Sequence, residues 1–180
     1  MNSRPAGGEP AKPDAIEQGG PAFPTRREPV FNMPAVVLGI IALCVGVHLV
    51  RSYWLTADED FAVLIRAAFI PIRYSGRFEM DVWALTSPFT YTFLHGGVTH
   101  LAVNMVWLAA FGSPLANRFG ALRFSLFFAA TGLAAAFFFW AIHPLGQAPL
   151  VGASGSISGM MGAAARFGFQ IDRSSGQAAF

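Results

Sequence analysis

Apolar residues in this chain come in long, mostly continuous runs rather than in strict alternation. Four runs stand out, at 34–50, 98–115, 122–142 and 150–169. Roughly 17–25 apolar residues in a helix cross about 30 Å of hydrocarbon, so each run predicts a membrane-spanning helix. The run at 122–142 carries Phe124, Phe127, Phe128, Phe137, Phe138, Phe139 and Trp140, a side-chain set at home against lipid. The pattern predicts an all-α, polytopic membrane helix bundle.

The polar positions divide the chain differently. Residues 1–31 are rich in Pro, Gly and charge with almost no periodic apolar residues, and are expected to be a disordered tail. Residues 32–180 make up the membrane domain. Between the first two runs, 51–97 form a long mixed connection that holds Asp58, Glu59, Asp60, Arg66, Arg73, Arg77, Glu79 and Asp81. Its apolar patches at 61–72 and 82–85 are expected to lie along the interface, and a connection of this length with its own amphipathic pieces is usually functional. Ser87-Pro88 turns the chain back towards the membrane.

Composition agrees with this picture. The 180 residues are 54% hydrophobic and only 12% charged, about half the charged share of a typical soluble domain. The pI of about 9.1 accompanies a formal net charge of only +2. There is no basic cluster with interleaved aromatics, so nucleic acid is not an expected partner. The single Cys44 lies inside an apolar run, which excludes an intramolecular disulfide and a cysteine-based metal site. The polar N-terminus shows no cleavable signal peptide.

Orientation follows from Arg and Lys near the ends of the runs. Arg26 and Arg27 precede the first, Arg118 and Arg123 join the second and third, and Arg166 and Arg173 follow the fourth. With four alternating spans these fall on one side, which is then cytoplasmic together with the N-terminus. Arg51, Arg66, Arg73 and Arg77 dissent, but their loop is long and also carries acids. The head of the fourth run therefore faces outward.

That head reads Val151-Gly152-Ala153-Ser154-Gly155-Ser156-Ile157-Ser158-Gly159. Glycines remove bulk beside the Ser154 hydroxyl, and a helix start leaves backbone N–H groups that suit developing negative charge. This would place a nucleophile for acyl transfer. The plainer reading is that Gly155, Gly159 and Ala163 form a close-packing helix face with no chemistry. The motif also departs from the G-x-S-x-G elbow, because Ser156 stands at the last glycine.

A second polar cluster opens the second run at His95-Gly96-Gly97-Val98-Thr99-His100-Leu101-Ala102-Val103-Asn104. His100 and Asn104 are four apart and share a helix face, with Trp107 and Phe111 expected to continue the stripe. They could be structural hydrogen-bonding links between helices. Alternatively, they could converge with the Ser154 backbone N–H on a tetrahedral oxyanion. Metal binding by His95 and His100 is disfavoured by their five-residue spacing and the lack of a nearby acid. No metal or organic cofactor is implied.

At these residues the chain resembles the rhomboid intramembrane serine proteases, most of all bacterial ones. The matching pieces are the run from Leu94 through Met105, Phe111-Gly112 through Arg118-Phe119-Gly120, and Gly152-Ala153-Ser154-Gly155. The resemblance implies four of six core spans and a membrane-embedded first loop at 51–97. It implies Ser154 as nucleophile, His100 and Asn104 as oxyanion side chains, and Gly152 and His95 beside the substrate. Substrates would be transmembrane proteins, cleaved from the outer face of a bacterial inner membrane.

Two departures accompany the resemblance. Ala116 stands where many of these proteins carry glutamate. The family also takes its base histidine from the sixth helix, and neither His48 nor His143 matches that position. The tail at 170–180 is expected to be a cytoplasmic loop cut before the next span, which makes the chain a fragment. The rival expectation is a catalytically inactive rhomboid-like protein that binds transmembrane helices.

Overall fold

The computed structural model describes residues 33–168. The expected tail at 1–31, the last residue of the fourth predicted span and the loop at 170–180 lie outside the described residues. Within them the chain is helical, with one isolated antiparallel bridge between Phe69 and Leu150.

Among the described residues three helices are long and apolar enough to cross a membrane. Helix α1 (Ala35–Tyr53) runs three residues beyond the predicted end, through Arg51, Ser52 and Tyr53, where the apolar run meets polar surroundings. The second span is composite. Helix α4 (Val98–Trp107) passes through a π turn (Leu108–Gly112) into α5 (Ser113–Phe119), and Gly120 at φ +77° ends it four residues past the predicted boundary. Helix α6 (Ala121–Ile142) follows directly and matches its prediction within one residue.

The fourth run differs at its head. Helix α7 (Ser154–Gly168) begins only at Ser154 and has 15 residues, a rise of about 22 Å. Residues 150–153 are taken from it by pairing elsewhere. Leu150 exchanges both backbone bonds with Phe69, and the Gly152 N–H donates to the Tyr91 carbonyl at 2.9 Å.

Those partners belong to the 51–97 connection, which forms helices and turns of its own. Helix α2 (Ala57–Ala67) starts on a reciprocal capping box between Thr56 and Glu59, satisfying two otherwise free backbone donors. The chain then dives inward through buried Ala68, Phe69 and Ile70 and makes a 3-10 turn (Pro71–Tyr74). Helix α3 (Val82–Thr90) is capped by Asp81, contains Ser87-Pro88, and leads into a second 3-10 turn (Tyr91–Phe93). Phe61, Val82, Trp83 and Leu85 remain largely exposed, as side chains of an interfacial segment would.

The core gathers Val37 of α1, Leu108 and Leu115 of the second span, Phe124 and Phe128 of α6, and Ile157 and Met160 of α7. Gly112 ends the π turn where these helices meet. A Cβ there would lie 3.2 Å from Leu108 and 3.3 Å from Phe124, so a side chain would force these neighbours to shift by a few tenths of an ångström. The stripe expected on the second span is corrected in one place. Leu108 is the buried residue one turn after Asn104, whereas Trp107 is 44% exposed and stacks on Phe111.

Candidate active site

Ser154 is the first residue of α7, with a fully buried Ala153 behind it and its own side chain exposed. It lines a cavity of about 360 Å³ together with Tyr91, Ala135, Phe139, Leu150, Gly155 and Ser158. The Ser154 carbonyl accepts a hydrogen bond from the Ser158 hydroxyl at 2.8 Å. Among the described residues no group hydrogen-bonds to the Ser154 hydroxyl.

Two residues before it, Gly152 has φ +111°, a conformation that a side chain makes costly. A Cβ on Gly152 would lie 2.8 Å from Cε1 and Nε2 of His100 and 3.6 Å from Nδ2 of Asn104. The two side chains of the second polar cluster are therefore packed against the turn that leads into Ser154. His100 is half-buried, and Asn104 is buried with Nδ2 donating to the His100 carbonyl at 3.0 Å. Helical spacing places both on the face turned to α7. Gly152 supplies the lack of bulk that lets the faces close.

The plainer reading of the glycines also describes the molecule. Cβ atoms on Gly155 and Gly159 would collide with Ala135 and Thr131 of α6, so these two form the close-packing face. Ser154 and Ser158 sit on the adjacent face of the same helix, towards the cavity. Ser156 points the other way. It is fully buried, and its hydroxyl donates to the Phe128 carbonyl at 2.8 Å. The residue that spoils the elbow motif pins α7 to α6.

Tyr91 carried no sequence signal, yet it holds three elements together. Its carbonyl accepts from Gly152, its hydroxyl donates to the Gly132 carbonyl of α6 at 2.7 Å, and its ring lines the Ser154 cavity. No spacing rule marks a tyrosine in a loop for such a role, because its partners are distant in sequence.

His95 lies elsewhere. It is 2% exposed, stands edge-on to His100 with ring centroids 5.3 Å apart, and lines a separate cavity beside α1. Burial first, then the neighbouring His100, push its pKa down to about 4; a hydrogen-bonding contact with the Phe93 backbone opposes this, and His48 and Arg51 add smaller downward effects. The ring is neutral at physiological pH. His143 caps the far end of α6 and packs on Phe139. Among the described residues no three of His, Cys, Asp and Glu converge to hold a metal ion.

A family model described as Rhomboid domain matches residues 81–178. The RHOMBOID-like protein 5 of Arabidopsis thaliana is 34% identical over 85 residues, which are 47% of this chain and 26% of that protein. The chain thus spans about a quarter of the length of that relative.

Proposed function

This chain belongs to the rhomboid family, whose domain model covers more than half of it, and on that premise we propose that it forms the front part of an intramembrane serine endopeptidase of the bacterial type. Ser154 attacks a peptide carbonyl in or beside a transmembrane segment of a substrate protein. His100, Asn104 and the Ser154 backbone N–H hold the oxyanion. Donors preorganised in a site of low dielectric stabilise such a charge far better than water does. Gly152 borders the bound substrate, whereas the buried His95, expected beside it, lines the separate cavity at α1; the site opens to the outer side, with the N-terminus in the cytoplasm.

The observation that carries this reading is the contact of His100 and Asn104 with Gly152, two residues from the serine. A serine also needs a base to take its proton. In this reading the base is a histidine at the family's sixth-helix position, which neither His48 nor His143 matches.

A second reading has its own support. The Ser154 hydroxyl makes no hydrogen bond among the described residues, which also fits a protein of this fold that binds transmembrane helices without cutting them.

A fluorophosphonate probe separates the two readings. The full-length protein should label in detergent, and Ser154→Ala should abolish labelling. Absence of labelling in the parent would favour the non-enzymatic reading, and labelling that persists in the alanine variant would refute Ser154 as nucleophile.

A further inference from the structure

Three buried ring nitrogens between α1 and α4 make no hydrogen bond of good geometry to the protein, although the Phe93 backbone lies close enough to His95 to act on its ring. They are Nε2 of His48 and both nitrogens of His95, and the two residues are 8% and 2% exposed. A buried polar group without a partner costs roughly 1–3 kcal/mol, so such groups normally meet an ordered molecule.

Both rings line a cavity of about 260 Å³ that is also bordered by Arg51, Ser52, Asp60 and the Gly96–Val98 backbone. Arg51 closes one side. Its Nε donates to Asp60 Oδ1 at 2.6 Å and its Nη1 to the His95 carbonyl at 3.2 Å. Helix α4 begins at Val98 after Gly97, which provides no side-chain cap, leaving N–H donors beside the cavity lined by 96–98.

The chemistry of this lining selects the occupant. A neutral imidazole offers one N–H and one bare nitrogen, so His95 needs a partner that both accepts and donates. An anion could satisfy only the donors and would face the Asp60 carboxylate. A cation would find Asp60 already engaged by Arg51, and no three-ligand set among the described residues. Water meets every requirement, and at about 30 Å³ per molecule several fit.

We infer that the cavity between α1 and α4 is a structural water site whose water completes the hydrogen bonding of His48 and His95 and holds the His95 ring edge-on against His100. His95 then acts as a positioning residue for the oxyanion side chain, a role that rests on the proteolytic reading above. The water site itself does not depend on that reading.

The test uses the full-length protein in micelles with isotopically labelled histidine. Cross-relaxation between water and the ring protons of His95 and His48 is expected. Absence of a water contact at His95 would overturn the assignment. So would saturable shifts of these signals on adding inorganic phosphate or Zn²⁺, since the occupant would then be an ion.

Fluorophosphonate labelling of Ser154 reads the positioning role. His95→Phe should slow it by about tenfold, and His95→Gln, which can still bond water, should restore most of the rate. Equal rates in all three proteins would remove that role. If the parent never labels while the water contact persists, proteolysis fails as a function and the water site stands.

Discussion

The imidazole of His100 occupies the space that a side chain on Gly152 would need, with two ring atoms 2.8 Å from the position of a Cβ. The contact joins two clusters that lie about fifty residues apart in the chain and would otherwise have separate explanations. It also makes Gly152 the most sensitive position near Ser154, because its left-handed backbone and its missing side chain are both required.

Gly152→Ala should therefore be damaging twice over. Holding alanine at φ +111° costs on the order of 1–3 kcal/mol, and the methyl group displaces His100. Labelling by a fluorophosphonate should fall by roughly 10²-fold, as it does for misplaced catalytic geometry, while circular dichroism in detergent still reports a helical protein. Unchanged labelling would show that the contact is unimportant for the serine.

His100→Ala and Asn104→Ala address the oxyanion role. Loss of one such donor typically costs roughly 10²–10³-fold in turnover. Cleavage of a transmembrane substrate by the full-length protein should drop by that amount, with little change in thermal midpoint for His100→Ala. A melting change with full cleavage would assign these side chains to helix bonding instead.

Gly159→Val should loosen α7 from α6. Even the first carbon of a side chain there meets Thr131, and overpacking of this kind costs about 1–3 kcal/mol. The thermal midpoint in detergent should fall, and Thr131→Ala in the same protein should recover part of the loss.

Tyr91→Phe removes one hydroxyl and its bond to the Gly132 carbonyl. The expected loss is roughly 0.5–1.5 kcal/mol, read as a lower melting midpoint. The backbone bond from Gly152 to Tyr91 remains in this variant, so Ser154 labelling should change little.

His95 gives a pH dependence with a definite sign. Its folded pKa of about 4 lies below the ordinary 6.5, so between these values the unfolded chain binds the extra proton. Stability is fully present above about pH 6.5 and falls as pH drops towards 4. Melting midpoints across this window should show the decline, and His95→Phe should flatten it.

The run lengths alone determined that α1, α4–α5 and α6 are membrane helices, because crossing hydrocarbon requires every backbone group to be paired within a long apolar helix. The i, i+4 spacing of His100 and Asn104 likewise determined that they share a face. Only the tertiary structure decided where α7 begins, since the pairing of Leu150 with Phe69 and of Gly152 with Tyr91 removes four residues that hydrophobicity would have assigned to the helix. It alone sent Ser156 inward, Ser154 to the cavity and His95 to a separate pocket. Side chains one or two residues apart on a short helix look alike in sequence, and what distinguishes them is which distant neighbour each one meets.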